Sequence, residues 1–152
     1  IMDLNTFIII LVASLIATSL MTAFSYFLSH QFNTLFKEPV LLGYILKNIG
    51  LDFGTTTLLK FGWMLHYLIG LTFVIIYHFL WNYDYVAYTY YGAFLLGFGS
   101  GIVGIAGWYI MFQITNHKPK IPFKAYYLQL LFAHIIFGIT AYGTHSPLSS
   151  YL

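Results

Sequence analysis

Six histidines are the side chains in this sequence best equipped for chemistry, and two of them, His66 and His134, sit deep inside long apolar runs. An ionisable residue well away from the ends of such a run is costly to place in lipid and normally faces the interior of a helix bundle, so each marks a candidate site. Neutral imidazole can ligate a metal or haem iron, or relay a proton. It can equally hydrogen-bond a hydroxyl or carbonyl of a neighbouring helix and fix the packing there. The sequence sets no carboxylate beside either histidine, which favours the packing role. A ligand or proton site at His66 and His134 is the alternative, with haem as its most concrete version; no other cofactor is expected.

The two histidines share a local pattern. His66-Tyr-Leu-Ile-Gly70-Leu-Thr72 and His134-Ile-Ile-Phe-Gly138-Ile-Thr140 both fit H-x-x-x-G-[LI]-T, and a further histidine follows twelve residues after the first, at His78, and eleven after the second, at His145. Such an echo is what a duplicated helix pair would leave, its halves related by an axis along the membrane normal. It would put His66 and His134 at matching depth. His78 and His145 fall toward the ends of their runs and read as interfacial, and His30 and His117 lie near lysines without the spacing of a metal site.

The remaining chemistry is sparse. The four acids, Asp3, Glu38, Asp52 and Asp84, are dispersed, and there is no HExxH, GxSxG, Walker or dinucleotide-binding motif. Cysteine is absent, which removes disulfides, thiolate nucleophiles and cysteine-ligated metals. The expectation is a protein that is not an enzyme and holds no metal. An ion-coupled transporter would ordinarily show an intramembrane carboxylate or a span broken by proline; here the prolines read as loop or tail residues.

The elements that carry these residues follow from composition. Of 152 residues, 60% are hydrophobic and only 7% charged, where a water-soluble domain carries about 25% charged residues. Lipid must therefore be the solvent for most of the surface, and a net charge of +2 is too small and too dispersed for a nucleic-acid groove. Uncharged runs long enough to cross a bilayer predict spans at about 4–30, 58–82, 88–115 and 124–145. None shows the strict alternation of a transmembrane strand. The fold predicted for residues 1–152 is one all-α domain, a four-helix transmembrane bundle. Ile1 ahead of Met2 reads as an added residue.

All six lysines fall in two segments, Lys37, Lys47 and Lys60 between spans one and two, and Lys118, Lys120 and Lys124 between spans three and four. Alternating spans put both segments on one side, which the positive-inside rule makes cytoplasmic, with both termini outside an inner membrane. The tyrosines at 83, 85, 88, 90 and 91, beside Trp81, read as an aromatic belt at the opposite face. The first lysine segment is too long to be structureless. Pro39 suits the first turn of a helix and Gly50 its end, which predicts an interfacial or re-entrant helix over 39–49.

Span three carries Gly97, Ser100, Gly101, Gly104 and Gly107 on one face, and span one offers hydroxyls at Ser14, Thr18, Thr22, Ser25 and Ser29. Small residues let two backbones approach closely in lipid. These two faces are expected to pack together within the chain, with homodimerisation through the glycines as the second possibility.

At Gly62-Trp-Met-Leu-His66-Tyr-Leu-Ile-Gly70, and again at Ala133-His-Ile-Ile-Phe-Gly138, the chain resembles small bacterial four-span membrane proteins, broadly YagU-like. The resemblance covers the four spans in order and implies an inner-membrane location and four helices. It carries no activity or catalytic residue. The leading expectation is a non-enzymatic membrane protein acting through helix contacts, as an accessory subunit or by self-association, with lipids and a membrane partner as its surroundings. The alternative is binding or permeation of a small ligand near His66 and His134.

Overall fold

A computed structural model describes residues 3–151, so Ile1, Met2 and Leu152 lie outside the described residues. The elements are α1 (Leu4–Gln31), α2 (Glu38–Asn48), α3 (Thr55–Asn82), α4 (Tyr90–Ile114) and α5 (Phe123–Tyr151), with no strand among the described residues. α1, α3, α4 and α5 are long and apolar enough to cross a membrane. The chain is a multi-pass helical membrane protein.

Local chemistry sets the helix ends. Asp3 caps α1 by accepting from the Thr6 N–H at 2.8 Å, and Thr89 caps α4 by accepting from the Gly92 N–H at 3.1 Å. Pro39 occupies the first turn of α2, where its missing N–H costs nothing. That helix stops at Gly50, whose φ of 102° places it in the left-handed region. The Gly50 N–H donates to Lys47 O and the Leu51 N–H to Leu46 O, the paired closure of a glycine-terminated helix.

α5 runs past the expected end at 145 and contains Pro147, so that proline is a helix residue rather than a tail residue. Proline removes the i→i−4 bond to the Gly143 carbonyl and crowds that carbonyl. Beyond it, hydroxyls supply donors: Ser149 Oγ bonds Ser146 O at 2.9 Å and Ser150 Oγ bonds Pro147 O at 2.7 Å.

The packed pairs are α4 with α5, α5 with α1, α1 with α3, and α3 with α2. This arrangement corrects the expectation that the glycine face of α4 meets the hydroxyl face of α1. The α4 glycines pack on α5, because α5 brings a glycine of its own to the crossing. A methyl group at Gly138 would meet Ala93 O and the Gly97 backbone, and one at Gly97 would meet the backbone of His134 and Ile135. Gly101 lies against Leu131 and His134, and Gly104 against the His134 ring, whereas Gly107 has open space beside it. The hydroxyls of α1 turn instead toward α2, α3 and α5. In the same way Gly70 of α3 abuts Thr18 of α1, so the glycine of each H-x-x-x-G repeat sits where its helix crosses another.

α2 is docked under the bundle by a second close approach, with Gly62 facing Pro39 O and the Gly43 N–H. Tyr44 Oη donates to His117 O at 2.8 Å, which joins the two lysine-bearing segments at one end of the molecule.

α3 and α4 are tied near the tyrosine-rich end by two buried contacts of the Tyr77 hydroxyl. Tyr77 Oη donates to Leu96 O at 3.1 Å and lies 2.6 Å from Ser100 Oγ, which itself bonds Gly97 O at 3.0 Å. Hydrogen bonds between transmembrane helices average about 0.6 kcal/mol. Tyr77→Phe is expected to lower stability by about that amount, measured by reversible denaturant titration in mixed micelles, without altering the oligomeric state.

Candidate functional site

Two apolar clusters fill the bundle, one toward the tyrosine-rich end around Tyr77, Trp81 and Phe137, the other toward the lysine end around Leu41, Trp108 and Tyr126. Between them α1, α2, α3, α4 and α5 enclose a cavity of about 210 Å³. Thr18, Glu38, His66 and His134 are the residues with polar side chains in its lining, and Phe73, Trp108, Phe137, Met21, Met111 and Leu130 are among the apolar ones. Its rim includes Ile69 of α3 and Val103 of α4, which are 43% and 60% exposed. The cavity thus opens sideways between α3 and α4, toward what is lipid in a membrane.

His66 is buried, and its Nε2 lies 2.8 Å from Thr22 Oγ1. That hydroxyl has one proton and commits it to Thr18 O, 2.6 Å away. Nε2 must therefore be the donor, which leaves the Nδ1 lone pair free. His134 has the opposite tautomer. Its Nδ1 is 2.8 Å from the Leu130 carbonyl, an obligate acceptor, so Nδ1 carries the proton and Nε2 the lone pair. Neither of these lone pairs has a partner among the described residues. The absence of a side chain at Gly104 makes room for the His134 ring, and Phe73 meets that ring edge-on at 5.9 Å.

Glu38 is the residue sequence reasoning missed. It opens α2, which folds back beneath the spans, and only 1% of its surface is exposed. Glu38 Oε1 accepts from Ser25 Oγ at 2.6 Å and from Gln129 Nε2 at 3.2 Å, while Oε2 is buried with no partner. Burial drives its carboxyl up to about 7, against the smaller opposing effect of the Ser25 and Gln129 hydrogen bonds. The adjacent Lys37 does not neutralise it; its ammonium sits 4.8 Å over the Tyr26 ring. Gln129 was the signal available in the sequence, an amide inside an apolar run that needs a buried partner. Thr18 Oγ1 is likewise buried without a partner.

The sequence-derived residues therefore divide. His66, His134, Thr18, Gly104 and Gly107 meet at one cavity, and Thr22 orients His66. Gly97, Gly101 and Ser100 build the crossings that frame it, whereas Ser14 bonds its own helix at Leu11 O, away from the site. His30 and His117 are exposed. His145 is packed rather than free: it is 6% exposed, 3.2 Å from His78 and 2.8 Å from Tyr88 Oη, beside the tyrosine-rich belt. The extension of α5 past residue 145 keeps it within the packed end of the bundle.

The arrangement can accept hydrogen bonds from a guest at two imidazole nitrogens and a carboxyl oxygen inside an otherwise apolar chamber. The fold and site together define a multi-pass helical membrane protein with a laterally open, mostly apolar cavity that carries a few polar side chains. No protein-family model, curated protein or solved structure matches the chain.

Proposed function

We propose that this protein is an intramembrane binding protein for a compact, hydrogen-bond-donating small molecule that enters from the lipid between α3 and α4. The observation that carries the reading is the unpartnered acceptor set of Glu38, His66 and His134 at one cavity. Buried polar groups are ordinarily satisfied, and a ligand supplying donors would satisfy these. A cavity of about 210 Å³ is smaller than the ~300–1,000 Å³ pockets of drug-sized ligands, so haem is too large to be enclosed and a single ring with a short arm suits the space. The protein acts by binding rather than catalysis. Homodimerisation through the α4 glycine face, the second possibility for those residues in the sequence, lacks a free surface because Gly97 and Gly101 are buried against α5. The lysines support a bacterial inner-membrane placement with residues 31–60 and 117–124 in the cytoplasm and both termini outside.

Gly107 provides the test. A side chain there has open space beside it and lies on the cavity wall, so Gly107→Leu is expected to fill the chamber and leave the fold intact. Benzyl alcohol in nanodiscs should bind the wild-type protein saturably above the empty-disc background in ligand-observed NMR. The variant should melt at or above the wild-type temperature and show background signal only. Equal binding by both proteins would refute the cavity as the site.

A further inference from the structure

Four features of the cavity constrain the guest beyond size. Its obligate acceptors are His66 Nδ1, His134 Nε2 and, once ionised, Glu38 Oε2, three lone-pair sites that match the three donors of an ammonium group. The carboxyl has no cationic partner, since Lys37 lies over Tyr26. Trp108 and Phe73 add aromatic surface able to attract a cation. The opening faces lipid, through which an amine travels as its neutral base.

Resting on the cavity reading above, we infer that the ligand is a small lipid-permeable primary amine, taken up neutral between α3 and α4 and held as its ammonium ion against Glu38, His66 and His134. The proton comes from Glu38. Its carboxyl O–H bond breaks as the amine lone pair forms a new N–H bond, leaving a buried carboxylate and ammonium with no net charge entering the bundle. Two charges formed together in contact avoid most of the cost of burying either alone. Burial holds the Glu38 carboxyl up to about 7, so a substantial protonated fraction is present near neutral pH to supply that proton. The other titratable groups turned toward Glu38 are Tyr26 of α1, Tyr126 of α5 and, across the cavity, His66 of α3 and His134 of α5. Neither tyrosine brings a positive charge, and both imidazoles present lone pairs.

A 150 Å³ apolar cavity accommodates benzene, and the larger one here takes a benzene ring with an aminomethyl arm. The test compares benzylamine, benzyl alcohol and benzyltrimethylammonium on the protein in nanodiscs at pH 7. Charge-assisted hydrogen bonds exceed neutral ones by about 1.5 kcal/mol, so benzylamine is expected to bind roughly tenfold tighter than benzyl alcohol. Benzyltrimethylammonium, permanently charged and without an N–H, should not bind. Glu38→Gln should bring the amine and alcohol affinities within about twofold of each other, since the amide offers neither the proton nor the charge. Benzyl alcohol bound as tightly as benzylamine by the wild-type protein would overturn the amine assignment and leave the cavity reading standing. Saturable binding of neither would overturn both. The wild-type comparison decides the matter even where Glu38→Gln fails to fold.

Discussion

Gly138→Ala should lower the melting temperature of the detergent-solubilised protein by several degrees, and Gly97→Ala should do the same, while Gly99→Ala and Gly107→Ala should leave it unchanged or slightly raised. The reason is which atoms the new methyl group would meet. At Gly138 it would stand 2.5 Å from Ala93 O and 2.8 Å from the Gly97 backbone; at Gly97 it would stand 2.6 Å from His134 O and 2.9 Å from Ile135 Cα. These are main-chain atoms of paired helices and cannot turn aside as a side chain could, so the α4–α5 crossing must widen. Overpacking of this kind costs about 1–3 kcal/mol. The two sites share one contact, so the double variant should lose less than the sum of the singles. At Gly99 and Gly107 nothing lies within 4 Å, and replacing glycine by alanine in a helix gains up to about 1 kcal/mol. Fluorescence-detected melting of all four variants is the measurement, and equal losses across them would show that the crossing is not set by glycine contact. Gly138→Ala should also weaken benzyl alcohol binding, because the widened crossing moves His134 away from Gly104.

The parts of this structure that were legible in the sequence are those that lipid dictates. A span must be continuous and uncharged, so α1, α3 and α4 begin and end within about three residues of their expected limits, the ordinary uncertainty of helix ends. The aqueous boundary of α5 was harder to read, because serines continue a helix through Pro147 where composition suggests a tail. His66 and His134 were legible as a pair because an isolated ionisable residue in an apolar run must turn inward. Which helices touch was not, since a small-residue face states only that some backbone comes close. Gly97 was free to meet any helix, and Gly138, embedded in the histidine repeat, proved to be its counterpart. Glu38 was hidden for a different reason. A single acid next to a lysine and a proline in a loop reads as solvated, and its burial depends on α2 folding under the bundle through the Gly43 and Gly62 contact.

Glu38→Gln should change the pH dependence of stability more than any other single substitution. The carboxyl sits at about 7 in the folded protein against 4.5 in its absence, with desolvation as the main cause. A folded state that binds the proton more tightly than the unfolded state is most stable where both are protonated, below about pH 4.5, and loses stability as pH rises toward 7. Above that, both states are ionised and the loss is complete. The interval corresponds to about 3 kcal/mol, an upper figure because rearrangement and water entry relieve a buried charge. Glutamine keeps the shape, can accept from Ser25 and does not titrate, so the variant should show a flat profile between pH 5 and 8 and exceed the wild-type protein in stability at pH 8. Bound benzylamine should act on the wild-type protein in the same direction at pH 8, by giving the carboxylate a cationic partner, and should do nothing for the glutamine variant. Melting curves of both proteins at pH 5, 6.5 and 8, with and without the amine, measure these effects together. Parallel curves for wild type and variant across that range would mean that Glu38 is solvated in the folded protein and that the cavity holds no titrating carboxyl.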